Sequence, residues 1–94
     1  MKILVVCGHC LGSSFMVEMN AQEALKNLAA PADIEVEHSD IMTASPEMAD
    51  LFICGRDLAE NAQRLGDVLV LDNILDKEEL QQKLQQKLQA LNMI

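Results

Sequence analysis

The spacing of apolar and polar residues predicts four short strands that alternate with helices. Residues 2–7 and 50–54 are nearly continuous apolar runs, which is typical of strands buried on both faces. Residues 67–71 form a similar run, and residues 33–39 alternate between apolar and polar positions. The alternation is typical of a half-exposed strand at a sheet edge. Its inward positions are Ile34, Val36 and His38, and we expect that histidine to be packed near the strand end.

Three segments between and after these strands have helical periodicity. The first runs from about Ser13 to Ala29, and the second from Arg56 to Leu65 with Gly66 as its stop. Asp76 and Glu79 have the spacing of a capping pair at the start of a third helix. The inward stripe of that helix consists of Leu80, Leu84, Leu88 and Leu91.

Strands that alternate with helices predict a parallel sheet with right-handed crossovers and helices on both faces. With the two apolar strands central and the alternating strand at one edge, the predicted order is 2-1-3-4. This is a small flavodoxin-like, or Rossmann-like, three-layer α/β sandwich. Ligands of such sheets bind beyond the carboxyl ends of the strands, at the switch point between the first and third strands. The topology therefore directs attention to the loop after Cys7.

Composition and charge narrow the classes of function. A chain of 94 residues is expected to form one domain, residues 1–94, and with only two aromatic residues its core should be aliphatic. The net charge of −8 argues against nucleic acid or an anionic membrane surface as a partner. No apolar run approaches the ~20 residues that span a bilayer, so we expect a cytoplasmic protein without membrane insertion. Three cysteines do not suggest a disulfide framework.

The loop after the first strand combines a nucleophile with an anion-binding pattern. It reads Cys7-Gly8-His9-Cys10-Leu11-Gly12-Ser13-Ser14. The glycines let the backbone bend towards a ligand, and amides at a helix N-terminus bind anions. The same field favours thiolate over thiol at Cys7, and either serine can cap the helix or donate to phosphate. The loop thus predicts a phosphate-binding site with its own nucleophile. His9 would donate a hydrogen bond to the phosphate, unless it is a solvent-facing loop residue.

The start of the chain resembles the enzyme IIB components of the bacterial sugar phosphotransferase system. The resemblance rests on Cys7-Gly8 and Leu11-Gly12-Ser13-Ser14-Phe15-Met16, which directly follow the apolar run Ile3-Leu4-Val5-Val6. The resemblance is strongest to the ascorbate branch within the lactose/cellobiose-like superfamily, although His9 and Cys10 replace its usual Asn and Gly. It implies a protein-phosphocysteine–sugar phosphotransferase that needs no cofactor. Cys7 would accept phosphate from a phosphohistidine IIA domain and pass it to a sugar held by a membrane IIC component. The sugar would be ascorbate-like or another carbohydrate.

Three alternative chemistries use the same loop. A phosphatase loop of the C-x5-R type would need arginine at the position of Ser13, where its bidentate clamp supports ester hydrolysis. Cys7-Gly8-His9-Cys10 also has the C-x-x-C frame of a thiol-disulfide oxidoreductase, but no aromatic residue precedes it and no suitably placed proline follows. A metal site formed by Cys7, His9, Cys10 and Cys54 would lack a second zinc-type motif, and we expect no metal. Cys54 is otherwise expected to be a small core residue.

Residues beyond the loop are candidates for partner contacts. Phe15, Met16 and Met19 lie opposite the apolar stripe of the first helix and predict an exposed patch that docks the IIA and IIC partners. The alternative is that the loop after Asp40 folds over them. Arg56 follows the third strand, where it would screen phosphate charge or guide docking, unless it is an ordinary surface arginine.

Overall fold

The four predicted strands form one parallel sheet. A computed structural model of the protein describes residues 1–8, 11–31 and 33–93, with the backbone alone described at residues 11–14. The strands are β1 (Lys2–Cys7), β2 (Glu35–Asp40), β3 (Leu51–Gly55) and β4 (Val68–Leu71). Their order is β2-β1-β3-β4, and every neighbouring pair is parallel. The predicted order and strand direction are confirmed.

Helices cover both faces of the sheet. Helix α1 is Leu11–Asn27 and helix α3 is Lys77–Ala90. Between β3 and β4 lies a short helical segment in which α2 (Ala59–Ala62) is flanked by 3₁₀ turns at Arg56–Leu58 and Gln63–Leu65. A further 3₁₀ turn occupies Pro46–Met48. Among the described residues, no helix combines the length and the hydrophobicity that a membrane span requires.

The core has two apolar layers, one on each face of the sheet, and Phe52 makes the second layer less purely aliphatic than predicted. The layer between the sheet and helices α1 and α3 contains Ile3, Val5, Val17, Ala21, Ala24, Leu25, Ile34, Val36, Leu51, Ile53, Leu69, Leu71, Leu80, Leu84 and Leu88. The layer between the sheet and the α2 segment contains Leu4, Val6, Ile41, Ala44, Phe52, Cys54, Ala62 and Leu65. Successive residues of β1 thus point to opposite layers, which explains why this strand is apolar throughout.

The ends of α1 and the last turn of α3 differ from the prediction. Helix α1 begins two residues earlier than predicted and ends at Asn27, because the backbone reverses at Ala29, whose φ is 52°. The Ala30 amide then donates to the Leu25 carbonyl at 3.0 Å, which closes the helix. Gly66, with φ 105°, ends the α2 segment as predicted. Leu91 follows the end of α3 and is 42% exposed, so only the first three leucines of the predicted stripe are buried.

Two predicted side-chain roles need correction. His38 shares the inward phase of Val36, but its side chain remains 35% exposed and its Nδ1 lies 3.0 Å from Glu18 Oε2. It stands near the end of the edge strand, where α1 covers it incompletely. Asp76 caps α3 as predicted by accepting from the Glu78 and Glu79 amides. The Glu79 carboxylate, however, turns away from that cap and accepts from backbone amides of the preceding loop, at residues 72 and 73.

Candidate functional site

Cys7 lies at the carboxyl edge of the sheet, at the place where the topology predicts a ligand site. It is the last residue of the central strand β1, it pairs in register with Asp40 of β2, and it is partly buried. Its carbonyl accepts a hydrogen bond from the Ile41 amide at 2.9 Å, which ties the end of β1 to the loop after β2. The β1/β3 switch point is immediately beside it, because the chain leaves β1 towards β2 and returns on the other side.

The amino end of α1 faces this edge. The helix begins at Leu11, four residues after Cys7, and its first turn contains no acidic residue. The first-turn amides and the helix dipole therefore keep their attraction for an anion. Of the predicted phosphate loop, Gly8 borders the cleft described below, whereas His9 and Cys10 lie outside the described residues. The side chains of residues 11–14, including the two serines, also lie outside them.

A cleft of about 440 Å³ opens at the carboxyl ends of β1 and β3. Its walls are mostly aliphatic, and a carboxylate and an amide supply polar groups on the side of the α2 segment. The lining residues are Val5, Val6, Cys7, Gly8, Val17, Ile41, Met42, Ile53, Cys54, Gly55, Asp57, Leu58, Asn61, Leu71 and Ile74. The site thus joins a cysteine, a helix N-terminus and a concave surface, which is the combination expected of a ligand site.

Gly55 is a site residue that the sequence reasoning missed. It is the buried last residue of β3, and a Cβ placed there would lie 2.8 Å from Asp57 Oδ1 and 3.0 Å from Ile74 Cγ2. Both distances are shorter than an ordinary contact, so a side chain at this position would have to displace the Asp57 carboxylate and shift the Ile74 side chain. The available signal was a glycine that directly follows a buried strand at the predicted ligand edge.

Cys54 is confirmed as a core residue and differs from Cys7 in its surroundings. It is 2% exposed, and burial together with the nearby negative charge of Asp57 raises the pKa of its thiol to about 11. At neutral pH it is therefore a protonated, poorly nucleophilic thiol. Among the residues described by the structure, no group of three His, Cys, Asp or Glu side chains is arranged to hold a metal ion. The hypothetical ligands His9 and Cys10 lie outside that part.

The loop after β2 is held in place by an arginine that the sequence analysis did not select. Arg64 donates from Nη2 to the Ile41 carbonyl at 2.6 Å and from Nη1 to the Ala44 carbonyl at 2.8 Å. Within the loop, the Met42 amide donates to Asp40 Oδ1 at 2.9 Å. Because the arginine is 20 or more residues away along the chain, only the fold brings it to these carbonyls. This loop forms the cleft wall nearest to β2.

Arg56 and the apolar patch on α1 occupy separate positions around the site. The Arg56 guanidinium is 77% exposed and lies 3.0 Å from Asp72 Oδ1, and the residue does not line the cleft. Phe15, Met16 and Met19 are each about half exposed, so the loop after Asp40 does not bury them. The ring of Phe15 meets His38 edge-on, with the ring centroids 5.9 Å apart.

A parallel α/β sheet in the order β2-β1-β3-β4, with a cysteine at its switch point beside a helix N-terminus, defines a flavodoxin-like domain. A family model described as "PTS system, Lactose/Cellobiose specific IIB subunit" matches residues 2–86. The chain therefore belongs to the lactose/cellobiose-specific IIB family of the phosphotransferase system, as the resemblance of its first loop predicted. Membership makes it a phosphoryl carrier in sugar transport, with IIA and IIC components as its general partners.

A comparison with solved structures agrees with this fold. The lactose-specific IIB component domain of the phosphoenolpyruvate:carbohydrate phosphotransferase system from Streptococcus pneumoniae matches with a TM-score of 0.55 and 19% sequence identity. The match covers 99% of this chain and 96% of that one. No curated protein sequence matches this chain significantly. That the chain belongs to the ascorbate branch of the superfamily stays a prediction.

Proposed function

We propose that Cys7 is the phosphoryl acceptor of this IIB domain. It would receive phosphate from a phosphohistidine on a IIA domain and pass it to a sugar held by a membrane IIC component. The position of Cys7 carries the proposal, since the residue ends a central strand at the switch point, four residues before an N-terminus without acidic side chains. The transported sugar would be ascorbate-like or another carbohydrate, and the domain, residues 1–94, would work in the cytoplasm without nucleic acid.

In the first step the Cys7 thiolate attacks the phosphorus of the phosphohistidine in line. A sulfur–phosphorus bond forms as the phosphorus–nitrogen bond breaks, and the leaving imidazole keeps the electron pair and takes up a proton. Amides of residues 8–12 and the hydroxyls of Ser13 and Ser14 would stabilise the charge on the equatorial oxygens. Catalysis in this step needs positioning and electrostatic stabilisation, which such a loop supplies without a metal or a cofactor.

In the second step a sugar hydroxyl attacks the phosphocysteine. The oxygen–phosphorus bond forms, the sulfur–phosphorus bond breaks, and Cys7 leaves as the thiolate while a base of the membrane partner takes the hydroxyl proton. An arginine at position 13 would favour attack by water, and Ser13 leaves out that bidentate clamp. The partly buried position of Cys7 also limits its contact with water. Both features suit a carrier that must hold phosphate until the sugar arrives.

Partner docking would use the exposed residues beside the site. Phe15, Met16 and Met19 present apolar area on α1, and both partners must approach the same edge to reach Cys7. Substitution of Met19 by lysine should slow transfer from the donor without unfolding the domain, since this side chain is 53% exposed. Transfer assays and far-UV circular dichroism on the same preparation would test this, and an unchanged transfer rate would remove Met19 from the docking surface.

The carrier residue itself can be identified by intact mass. The chain is incubated with phosphoenolpyruvate, the general phosphotransferase proteins and IIA domains of several sugar classes. We expect a gain of one phosphate, ~80 Da, on the wild-type chain and on Cys10→Ser and Cys54→Ser, but none on Cys7→Ser. Cys54→Ser is the matched control, because it removes a thiol of the same cleft that is buried and protonated. Phosphate on Cys7→Ser, or none on the wild-type chain with every donor, would contradict the proposal.

A further inference from the structure

Met42 is the most exposed large apolar residue in the part of the chain that the structure describes. Its exposed fraction is 82%, compared with 49–53% for Phe15, Met16 and Met19. It borders the same cleft as Cys7, two residues after the end of β2. An apolar side chain this exposed contributes little to folding, because nearly all of its surface stays in water. Its position at the mouth of the site suggests that a partner covers it.

The loop that presents Met42 is ordered by contacts from several directions. Arg64 holds the carbonyls on either side of the methionine, at residues 41 and 44. The Thr43 hydroxyl donates to the Asp40 carbonyl at 3.1 Å and lies 3.2 Å from the Ser39 hydroxyl. Together with the bond from the Ile41 amide to the Cys7 carbonyl, these contacts fix the loop relative to β1. A loop ordered before binding loses less conformational entropy when a partner docks.

The charges at this edge indicate what kind of partner fits. The whole chain carries −8, Asp57 lines the cleft, and the Asp40 carboxylate lies at the base of the loop, where it accepts from the Met42 amide. The two arginines near the edge are engaged, Arg56 with Asp72 and Arg64 with the loop carbonyls. A donor that brings an anionic phosphoryl group to this edge is repelled unless basic residues on its own surface offset the carboxylates.

We propose that the loop formed by residues 40–45 is a preformed docking element for the phosphohistidine donor, with Met42 as its apolar anchor and Arg64 as the positioning residue that holds it. The fitting partner surface is an apolar recess with a basic rim around the phosphohistidine. Met42 fills the recess while the rim meets Asp40 and Asp57. The inference rests on the proposed function, since it names the partner surface used at the same site.

The anchor is tested by kinetics of transfer from the IIA domain that phosphorylates wild-type Cys7 in the mass experiment. We expect Met42→Glu to raise the KM for the phosphorylated donor about tenfold, because loss of one buried methionine side chain is worth at least that factor. Met42→Lys should raise the KM further, since lysine also meets the basic rim, and added salt should reduce the difference between the two variants. In both variants kcat should stay within about twofold of the wild-type value.

The matched control is Leu91→Lys. Leu91 is 42% exposed and follows the end of α3. This end of α3 lies near the amino end of β4, away from Cys7, because Lys87 pairs with Asp67 just before β4. The control variant should leave the KM for the donor unchanged. A KM within about twofold of wild type for Met42→Lys would overturn the anchor role. Equal or weaker effects of lysine compared with glutamate would overturn the basic rim.

The positioning role of Arg64 is tested with Arg64→Met, which keeps an unbranched stem but removes both donors. We expect faster hydrogen exchange at the amides of Ile41 and Ala44, a KM several-fold higher and a nearly unchanged kcat. A faster exchange with an unchanged KM would show that docking does not use the ordered loop. A fall in kcat alone would assign the loop to the chemical step and overturn the proposal. If Arg64→Met does not fold, the Met42→Lys variant still tests the docking role of the loop. If no donor phosphorylates the wild-type chain, the proposed function fails first, which is a different result from either of these.

Discussion

Replacing Glu79 with glutamine should destabilise the loop after β4 in a manner that depends on pH. Glu79 Oε2 accepts from the Asp72 amide at 2.7 Å and Oε1 from the Asn73 amide at 2.9 Å. Lys83 Nζ lies 2.8 Å from the same carboxylate. The loop held in this way carries Ile74, a wall of the cleft. Glutamine has the same shape, but it offers one acceptor oxygen and turns an NH₂ group towards a backbone N–H.

The size of the effect follows from the three contacts of the carboxylate. The hydrogen bond from Lys83, followed by those from the Asn73 and Asp72 amides, lowers the pKa of Glu79 from 4.5 to about 2. Hydrogen bonds to a charged group contribute roughly 1.5–3 kcal/mol each when both partners are sheltered. Because the lysine is one-third exposed and water replaces part of its contribution, we expect a loss of about 2 kcal/mol for Glu79→Gln at pH 7.

The sign of the pH dependence is fixed by the lowered pKa. The folded carboxylate is held ionised, so its stabilisation is complete above the unfolded pKa near 4.5 and declines as the pH falls towards 2. The wild-type protein should therefore lose its advantage over Glu79→Gln in this window, with roughly half of the advantage gone by pH 3. At pH 7 the variant should melt about 10 °C lower, as expected for a domain of this size.

Urea unfolding followed by circular dichroism at pH 7 and pH 3 measures both quantities. Glu78→Gln is the control, because it removes the same charge from the same first turn of α3, and Glu78 is exposed. A difference of the same size for the two variants would assign the effect to the helix dipole alone. A difference for Glu79→Gln that stays constant from pH 7 to pH 3 would refute the linkage argument.

Two further substitutions and one alkylation experiment test the packing around the site and the end of α1. Gly55→Ala should lower the free energy of unfolding by about 1–3 kcal/mol, because the added methyl group must displace Asp57 or Ile74; urea unfolding measures it, and a neutral effect would contradict the close approach. Ala29→Gly should raise it by about 0.5–1 kcal/mol, since an exposed alanine there holds φ at 52°; an unchanged melting temperature would contradict this. Under native conditions Cys54 should resist iodoacetamide at pH 8 and react only in urea, because the pKa of its thiol is about 11. Mass spectrometry of alkylated peptides measures this, and alkylation of Cys54 in the folded protein would contradict the raised pKa.

Much of the fold could be predicted from short-range patterns. The continuous apolar runs of β1 and β3 and the alternation of β2 determined which strands are central and which is at the edge, since a strand between two helical layers must be apolar on both faces. Given that order, the right-handed crossovers determined the switch point, so the sequence also located the edge of the sheet at which Cys7 lies.

The contacts that shape the site were decided by the tertiary structure. Arg64 occupies a position that the helical pattern leaves to solvent, yet the packing of the α2 segment against the sheet brings its guanidinium to two carbonyls of the loop after β2. Glu79 has the spacing of a capping residue, but the end of β4 presents two amides within its reach, and these replace the local bond. In both cases a charged side chain pairs with backbone groups of a loop, either far away along the chain or outside any regular helix or strand. Residue spacing alone does not specify such contacts.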